Sequence, residues 1–162
     1  MAEIRKAREE DFIKIHNFVS SCGVLEKYPA HVYKIILRYF SDTCLIAEDG
    51  DKIAGFVSGF FSQREKHKYF LWQIGVDPAL RGRGVGSSIL KELEKRLGNK
   101  ACRLIELSVD PENISSRKLF EKMKYKNVSS KTGPLEMVKG IKSVKDFYGP
   151  GRHFIIMQKK IK

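Results

Sequence analysis

From Tyr69 to Leu97 three kinds of local sequence follow one another without a break, and together they leave few architectures open. Tyr69 to Val76 is aromatic and β-branched, with Gln73 as its one strongly polar member, a pattern that fits a strand buried on both faces. Asp77-Pro78 stops it. From Ser88 the apolar residues Ile89, Leu90, Leu93 and Leu97 recur at helical spacing, with Lys91, Glu92, Glu94, Lys95 and Arg96 on the other side and Gly98 as the stop. The helix therefore lays one face on the sheet that holds the strand.

Between strand and helix stands Arg81-Gly82-Arg83-Gly84-Val85-Gly86. The first four N–H groups of a helix lack internal partners and carry partial positive charge, so a glycine-rich entry is a ready cradle for phosphate groups. Gly82, Gly84 and Gly86 let the backbone approach an anion, and Arg81 and Arg83 add formal charge. Two familiar nucleotide motifs do not fit. The Walker pattern requires Gly-Lys-Ser/Thr, whereas Val85-Gly86 precedes Ser87 here. The dinucleotide fingerprint G-x-G-x-x-G fails because the glycines alternate and position 87 is serine. An ordinary glycine turn ahead of a helix is the alternative that the hexapeptide alone leaves open.

The remaining chain reads as strands and helices in a single domain spanning residues 1–162. Glu3 to Ala7 is a short strand, and Glu9-Glu10-Asp11 sits where a helix dipole favours acids, ahead of a helix carrying Phe12, Ile15, Phe18, Val19 and Cys22. A second helix runs roughly from His31 to Phe40. Thr43 to Ala47 and Lys52 to Phe61 read as strands joined by a hairpin through Asp49-Gly50, and Ser62 to Lys68 as a polar loop. Leu104 to Val109 is a strand, a helix begins at Asn113, and Phe154 to Met157 is a closing strand. Strand, turn, helix, strand, helix implies a parallel crossover inside a mixed sheet, an α+β (three-layer α/β) arrangement with helices on the sheet's faces.

Composition narrows the partners. With 42% hydrophobic and 31% charged residues the chain is globular, it has no membrane-length apolar run, and its N-terminus lacks the apolar core of a secretion signal. The expected location is the cytoplasm. Cys22, Cys44 and Cys102 are odd in number and widely spaced, which suits reduced packing residues better than a disulfide framework or a zinc site. No metal cluster and no Ser/His/Asp set emerges from His16, His31, His67 and His153. Net charge is +12, and from Glu121 onward eleven Lys/Arg face three acids. That surplus can steer anionic partners, or simply solvate a lysine-rich face.

Val76-Asp77-Pro78 through Leu90, with Arg81, Gly84 and Gly86 in the three defined positions of Q/R-x-x-G-x-G/A, resembles the acetyl-coenzyme A binding motif of the GNAT superfamily of N-acetyltransferases. The resemblance implies the GNAT acyl-CoA N-acyltransferase fold, acetyl-CoA as cosubstrate and no metal. Asn113, Ser116 and Phe120 are similar to that family's second coenzyme segment, with Phe120 where a tyrosine is usual. In the family that tyrosine commonly protonates the departing thiolate. Tyr33, Phe40, Asp42, Thr43 and Cys44, then Ala47-Glu48, Gly55-Phe56, Phe70, Trp72, Gln73 and Val76, and Glu106 ahead of Pro111 resemble the diaminobutyrate acetyltransferases. Asp146 to His153, ending at Met157, is similar to the closing segment of protein N-terminal acetyltransferases, with Tyr148 on the second tyrosine of their motif.

The resemblance implies direct attack of a neutral amine on the thioester, with Ile74, Gly75 and Val76 presenting backbone to the cofactor and the Val76 N–H stabilising the oxyanion. Arg81, Gly82, Arg83, Gly84, Val85, Gly86 and Ser87 would hold the pyrophosphate, and Asn113, Ser116 and Phe120 the pantetheine side. Glu106 is the first candidate base, Tyr148 and His153 the alternative proton carriers. Glu26, Tyr28, His31 and Tyr33 are the polar groups of the acceptor region, where Tyr28, Tyr33 and Trp72 could wall an alkylamine pocket. Gly75 is expected to leave room at the reacting centre. The expected acceptor is a primary amine of a small amine or amino acid such as a diamino acid, with a protein N-terminus or lysine as the enzymatic alternative and a coenzyme-sensing module as the non-catalytic one. No membrane or nucleic acid is expected as partner, and a homodimer is compatible with the sequence.

Overall fold

A computed structural model describes residues 2–162. Nine strands and four α-helices alternate as β1 (Glu3–Lys6), α1 (Phe12–Cys22), α2 (Ala30–Phe40), β2 (Leu45–Asp49), β3 (Lys52–Phe61), β4 (Lys68–Val76), α3 (Val85–Gly98), β5 (Leu104–Val109), α4 (Ile114–Lys122), β6 (Lys126–Asn127), β7 (Leu135–Val138), β8 (Ile141–Val144) and β9 (Ile155–Lys160) among the described residues. Seven strands form one mixed sheet in the order β1-β2-β3-β4-β5-β9-β6, and β7 pairs with β8 as a separate hairpin. The β4–β5 pair is its parallel step, made by the α3 crossover.

Period-two alternation sorts the strand side chains onto two cores. Leu45, Ala47, Val57 and Leu71 face α3 together with Ile89, Leu90, Leu93 and Leu97, all of them buried. Ile46 and Phe56 face the other way, onto Ile15, Phe18 and Val19 of α1 and Tyr33 and Leu37 of α2. Each fully buried aliphatic side chain stabilises the fold by about 1.5–3 kcal/mol, so the stripe on α3 alone fixes that helix to the sheet.

Boundaries differ from the sequence reading in instructive places. Helix α3 begins at Val85, three residues ahead of the periodic stripe, because Gly84 at φ +85° starts it and the first turn needs no apolar face. Glu9–Asp11 is a 3-10 turn whose Asp11 is buried under Arg5 instead of being a solvated dipole partner. Thr43 lies in a second 3-10 turn, its hydroxyl donating to the Gly59 carbonyl at 2.9 Å, so β2 starts two residues later than expected. Lys68 opens β4, and β9 extends to Lys160. The β7–β8 hairpin had no counterpart in the sequence reading; its Lys139-Gly140 turn places both residues at positive φ. The three cysteines are free and buried.

Candidate active site

The site exists because β4 parts from β5. Their parallel pairing runs from Lys68–Leu104 to Leu71–Leu107 and stops, although β4 continues to Val76 and β5 to Val109. At that point β4 also carries a bulge. Ser58 of β3 faces Gln73 and the next residue, Gly59, faces Leu71, so Trp72 is the extra residue. A bulge bends its strand and strengthens the twist, which turns the far half of β4 away from β5. Gly59 permits the close approach there, since a Cβ would collide with the Phe70 carbonyl oxygen.

Two connected cavities fill the opening, and Val24, Leu25, Ile74 and Ser116 belong to both. The first, of about 240 Å³, lies between the end of β4 and the start of α3. Ile74, Gly75, Val76, Arg81, Gly82, Gly84, Val85, Gly86, Ser87 and Ser116 of the expected cofactor residues are on its wall. Arg83 is not on the wall of either cavity. Gly82 and Gly84 adopt φ of +76° and +85°, conformations that a side chain would strain. No side chain caps α3, and its first internal bond is Ser88 N–H to the Gly84 carbonyl, so the Val85, Gly86 and Ser87 N–H groups are left for an anion. Lys118 and Lys122, one turn apart on α4, border the same cavity. They escaped the sequence reading, although their i, i+4 spacing beside Leu119 and Phe120 was the available signal.

Gly75 does something other than what the sequence suggested. A Cβ there would meet Leu25 at 2.8 Å and Phe18 and Phe56 at 3.2 Å, so its missing side chain accommodates α1 and the following loop and not the reacting centre. Gly86 is likewise packed, a Cβ meeting Leu119 at 3.0 Å and Val76 at 3.3 Å. Backbone direction at the end of β4 is fixed by Asp77, whose N–H donates to Ala54 on β3 at 2.8 Å. Amides alternate along a strand, so the Val76 and Ile74 N–H groups face the opposite edge, into the gap. Arg81 reaches back to the Cys22 carbonyl at 3.0 Å. Cys22 itself borders this cavity, but burial pushes its thiol up to about 11, which argues against a nucleophile.

The second cavity, of about 840 Å³, opens on the other side of the gap. Trp72 and Tyr28 wall it with ring centroids 4.9 Å apart. Asn113, Ser116 and Phe120 border it from α4 and its N-cap; the Asn113 side-chain oxygen Oδ1 accepts from the Ser116 N–H, capping the helix. Tyr148 enters from the loop after β8, its hydroxyl 2.8 Å from that of Ser108 on β5. Asp110, Glu26, Arg152 and Phe154 complete the polar and aromatic wall, and of these the sequence reading had singled out only Glu26.

Like Arg83, the expected site residues Tyr33, Glu106 and His153, and His31 of the expected acceptor region, line neither cavity. Tyr33 is 2% exposed and donates to Gln73 at 3.0 Å, with burial pushing its phenol up to about 12; it supports Trp72 from behind at 5.9 Å between centroids. Glu106 shares a face of β5 with Ser108, but its carboxylate accepts from Gln158 at 2.5 Å and Lys68 at 3.4 Å and does not border either cavity. Its strand position lies in the paired half, opposite Phe70, before the gap opens. His153 accepts from the Asp146 N–H at its Nδ1, 2.9 Å away, and so braces the loop that carries Tyr148. The placement of Glu106 could not be read from residue type, because it depends on where the pairing of β4 with β5 ends.

Among the described residues no group of three or more His, Cys, Asp or Glu side chains could hold a metal ion, and no helix is long and apolar enough to cross a membrane. Residues 2–125 match the acetyltransferase (GNAT) family. An L-2,4-diaminobutyric acid acetyltransferase from Shouchella clausii is 37% identical over 99 residues, 61% of this chain and 56% of that protein's length. The diaminobutyrate acetyltransferase EctA from Paenibacillus lautus, solved with its substrate L-2,4-diaminobutyric acid and coenzyme A, superposes with a TM-score of 0.76 at 25% identity, covering 97% of this chain and 94% of that one. Ard1 from Thermoplasma volcanium shares the fold with a TM-score of 0.82 at 14% identity, over 99% of this chain and 98% of that one.

Proposed function

The chain belongs to the acetyltransferase (GNAT) family, and from that premise we propose that residues 1–162 form one catalytic domain that moves an acetyl group from acetyl-CoA to a primary amine of a small diamino acid. What carries this reading is the parting of β4 from β5 at the Trp72 bulge, which joins an anion cradle to an aromatic, acid-bearing chamber. Unpartnered N–H groups at the start of α3, with Arg81, Lys118 and Lys122, suit the phosphates of coenzyme A. The similarity of the chain to proteins named for diaminobutyrate supports the acceptor class.

In the reaction the neutral amine nitrogen bonds to the thioester carbonyl carbon, and the carbonyl oxygen gathers negative charge. The Val76 N–H, directed into the gap, is the donor positioned for that oxyanion. Collapse then breaks the carbon–sulfur bond, so overall one proton passes from nitrogen to sulfur. With Phe120 unable to donate and Glu106 tied to Lys68 and Gln158, the Tyr148 hydroxyl, hydrogen-bonded to Ser108 on β5, is the group we assign to carry it among those bordering the gap. A side-chain amine of pKa about 10.4 is neutral in only about one molecule in 10³ at pH 7, so loss of the first proton to water or a relay is part of the barrier.

Release of coenzyme A thiol, followed across diaminobutyrate, simple diamines and peptides with free N-termini, tests the proposal. Turnover with diaminobutyrate is the expected result. Tight acetyl-CoA binding with no acetylated amine would replace it with the sensing role, and turnover on peptides alone would move the acceptor to protein N-termini.

A further inference from the structure

Glu26 and Arg152 belong to opposite walls of the acceptor chamber, one in the loop between α1 and α2 and the other in the loop between β8 and β9, and they meet across it. Arg152 Nη2 stands 3.4 Å from both Glu26 carboxylate oxygens. Resting on the acceptor assignment above, we propose that this pair reads the α-amino acid head group of the acceptor. Arg152 takes its carboxylate and Glu26 its non-reacting ammonium, leaving the side-chain amine to face the thioester.

Each partner is held ready by contacts that do not depend on the other. The Glu26 backbone is anchored by Gln73, whose Nε2 donates to the Glu26 carbonyl at 2.9 Å, and Gln73 is itself held by the Tyr33 hydroxyl. The Glu26 carboxylate accepts from the Tyr28 hydroxyl at 3.0 Å, while the Tyr28 ring leans on Trp72. On the other wall the Arg152 guanidinium lies over the rings of Tyr148 and Phe154, 5.7 and 5.6 Å from their centroids. The loop is closed around it by Asp146 accepting from Gly151 N–H and by Arg152 N–H donating to the Gly149 carbonyl. Both charges are thus placed before anything binds, which is what lowers the cost of recognition.

The bond between them is weak enough to give way. Its side chains are 48% and 54% exposed, the contact is long, and an exposed pair of this kind contributes about 0–1 kcal/mol. A zwitterion offers each member a replacement of opposite charge, and a guanidinium fork matches a carboxylate with two parallel bonds. The other carboxylate of the chamber, Asp110, already accepts from the Glu112 N–H at 2.9 Å. A peptide N-terminus carries no free carboxylate near its amine, and it would have to separate the pair without compensating either charge. The same two residues therefore select for a free amino acid and against a chain.

The test compares kcat/KM for diaminobutyrate with that for the two molecules left when its carboxylate or its α-amine is removed. The wild-type protein is expected to prefer diaminobutyrate over each by about 10- to 100-fold, the worth of a charge-assisted hydrogen bond. Arg152→Gln should collapse the preference over the molecule lacking the carboxylate, and Glu26→Gln the preference over the molecule lacking the α-amine, each leaving the other preference standing. Equal loss on all three substrates in either variant, or no preference in the wild type, would overturn the proposal. Calorimetry of diaminobutyrate binding with coenzyme A present keeps the two claims apart. If no amine is acetylated the transferase reading fails, yet head-group reading still stands or falls on whether diaminobutyrate binds the wild type and binds Arg152→Gln about 10-fold or more weakly.

Discussion

Asp11 accepts two hydrogen bonds from Arg5, at 2.8 and 2.9 Å, and one from the Arg8 N–H at 2.7 Å, with its side chain 4% exposed. Burial opposes its charged form most strongly of any single influence, but Arg5 and the Arg8 amide together outweigh it and hold the carboxyl below its usual range. Arg5 lowers Glu48 in the same way. Carboxylates depressed on folding stabilise fully above their unfolded values, about 3.9 and 4.3, and that stabilisation drains as pH falls through the folded values. Urea midpoints should therefore hold from neutrality to about pH 5 and drop below it. Asp11→Asn should cost about 3 kcal/mol at pH 7 by leaving Arg5 half-paired, and its acid limb should be shallower. The proton of the reaction is a residue-scale matter too. Tyr148→Phe is expected to lower kcat by about 10²- to 10⁴-fold with the KM for acetyl-CoA little moved, whereas Glu106→Gln should leave turnover within a few-fold. The reverse ranking in single-turnover measurements would hand the proton to Glu106.

At the scale of elements the strand β4, the turn after it and helix α3 do most of the positioning. Gly84 lies at φ +85° with nothing within 4 Å of where a Cβ would stand, so Gly84→Asp brings a carboxylate to the cradle without a clash. The left-handed residue alone costs about 1–2 kcal/mol, and the negative charge repels a pyrophosphate. Loss of acetyl-CoA binding in a protein with wild-type circular dichroism is the expected result; unchanged affinity would move the phosphates away from α3. Gly86→Asp is a poorer probe, because Leu119 and Val76 already occupy its surroundings. The cradle was legible because alternating glycines between a buried strand and an amphipathic stripe have few other uses. The gap was not. Trp72 reads as one more aromatic in a strand, and only the pairing of Ser58 with Gln73 and of Gly59 with Leu71 reveals it as a bulge. The position of Glu106 relative to the gap was hidden for the same reason, since residue alternation gives the face but not the register at which β4 and β5 separate. The β7–β8 hairpin was invisible because Leu135 to Val144 is short, half polar and turned through a lysine at positive φ.

On the scale of the whole molecule the two cavities lie where helices from both faces of the sheet come together. Val24 and Leu25 from beyond α1, Ile74 of β4 and Ser116 of α4 border both, while the start of α3 borders the first. Nothing in the sheet ladder joins β4 to β5 past Leu71–Leu107, so the two neighbouring strands are not cross-linked to each other there. A molecule seated there contacts β4, the start of α3, α4 and the loop after α1 together. It stabilises the native state by mass action, about 2.7 kcal/mol at a hundredfold excess over Kd, which for a chain of this size is a rise in melting temperature of roughly 5–11 °C. On the proposed assignment of the cradle, acetyl-CoA and coenzyme A should give nearly the same shift, because they share the phosphate-bearing part. The net charge of +12 adds a second signature: a basic surface speeds capture of a polyphosphate, and that gain is screened by salt. Raising ionic strength should therefore slow association more than it speeds dissociation in stopped-flow measurements. A thermal shift that is absent in the wild type, or equally large in Gly84→Asp, would mean that the opening between β4 and β5 holds something other than the coenzyme.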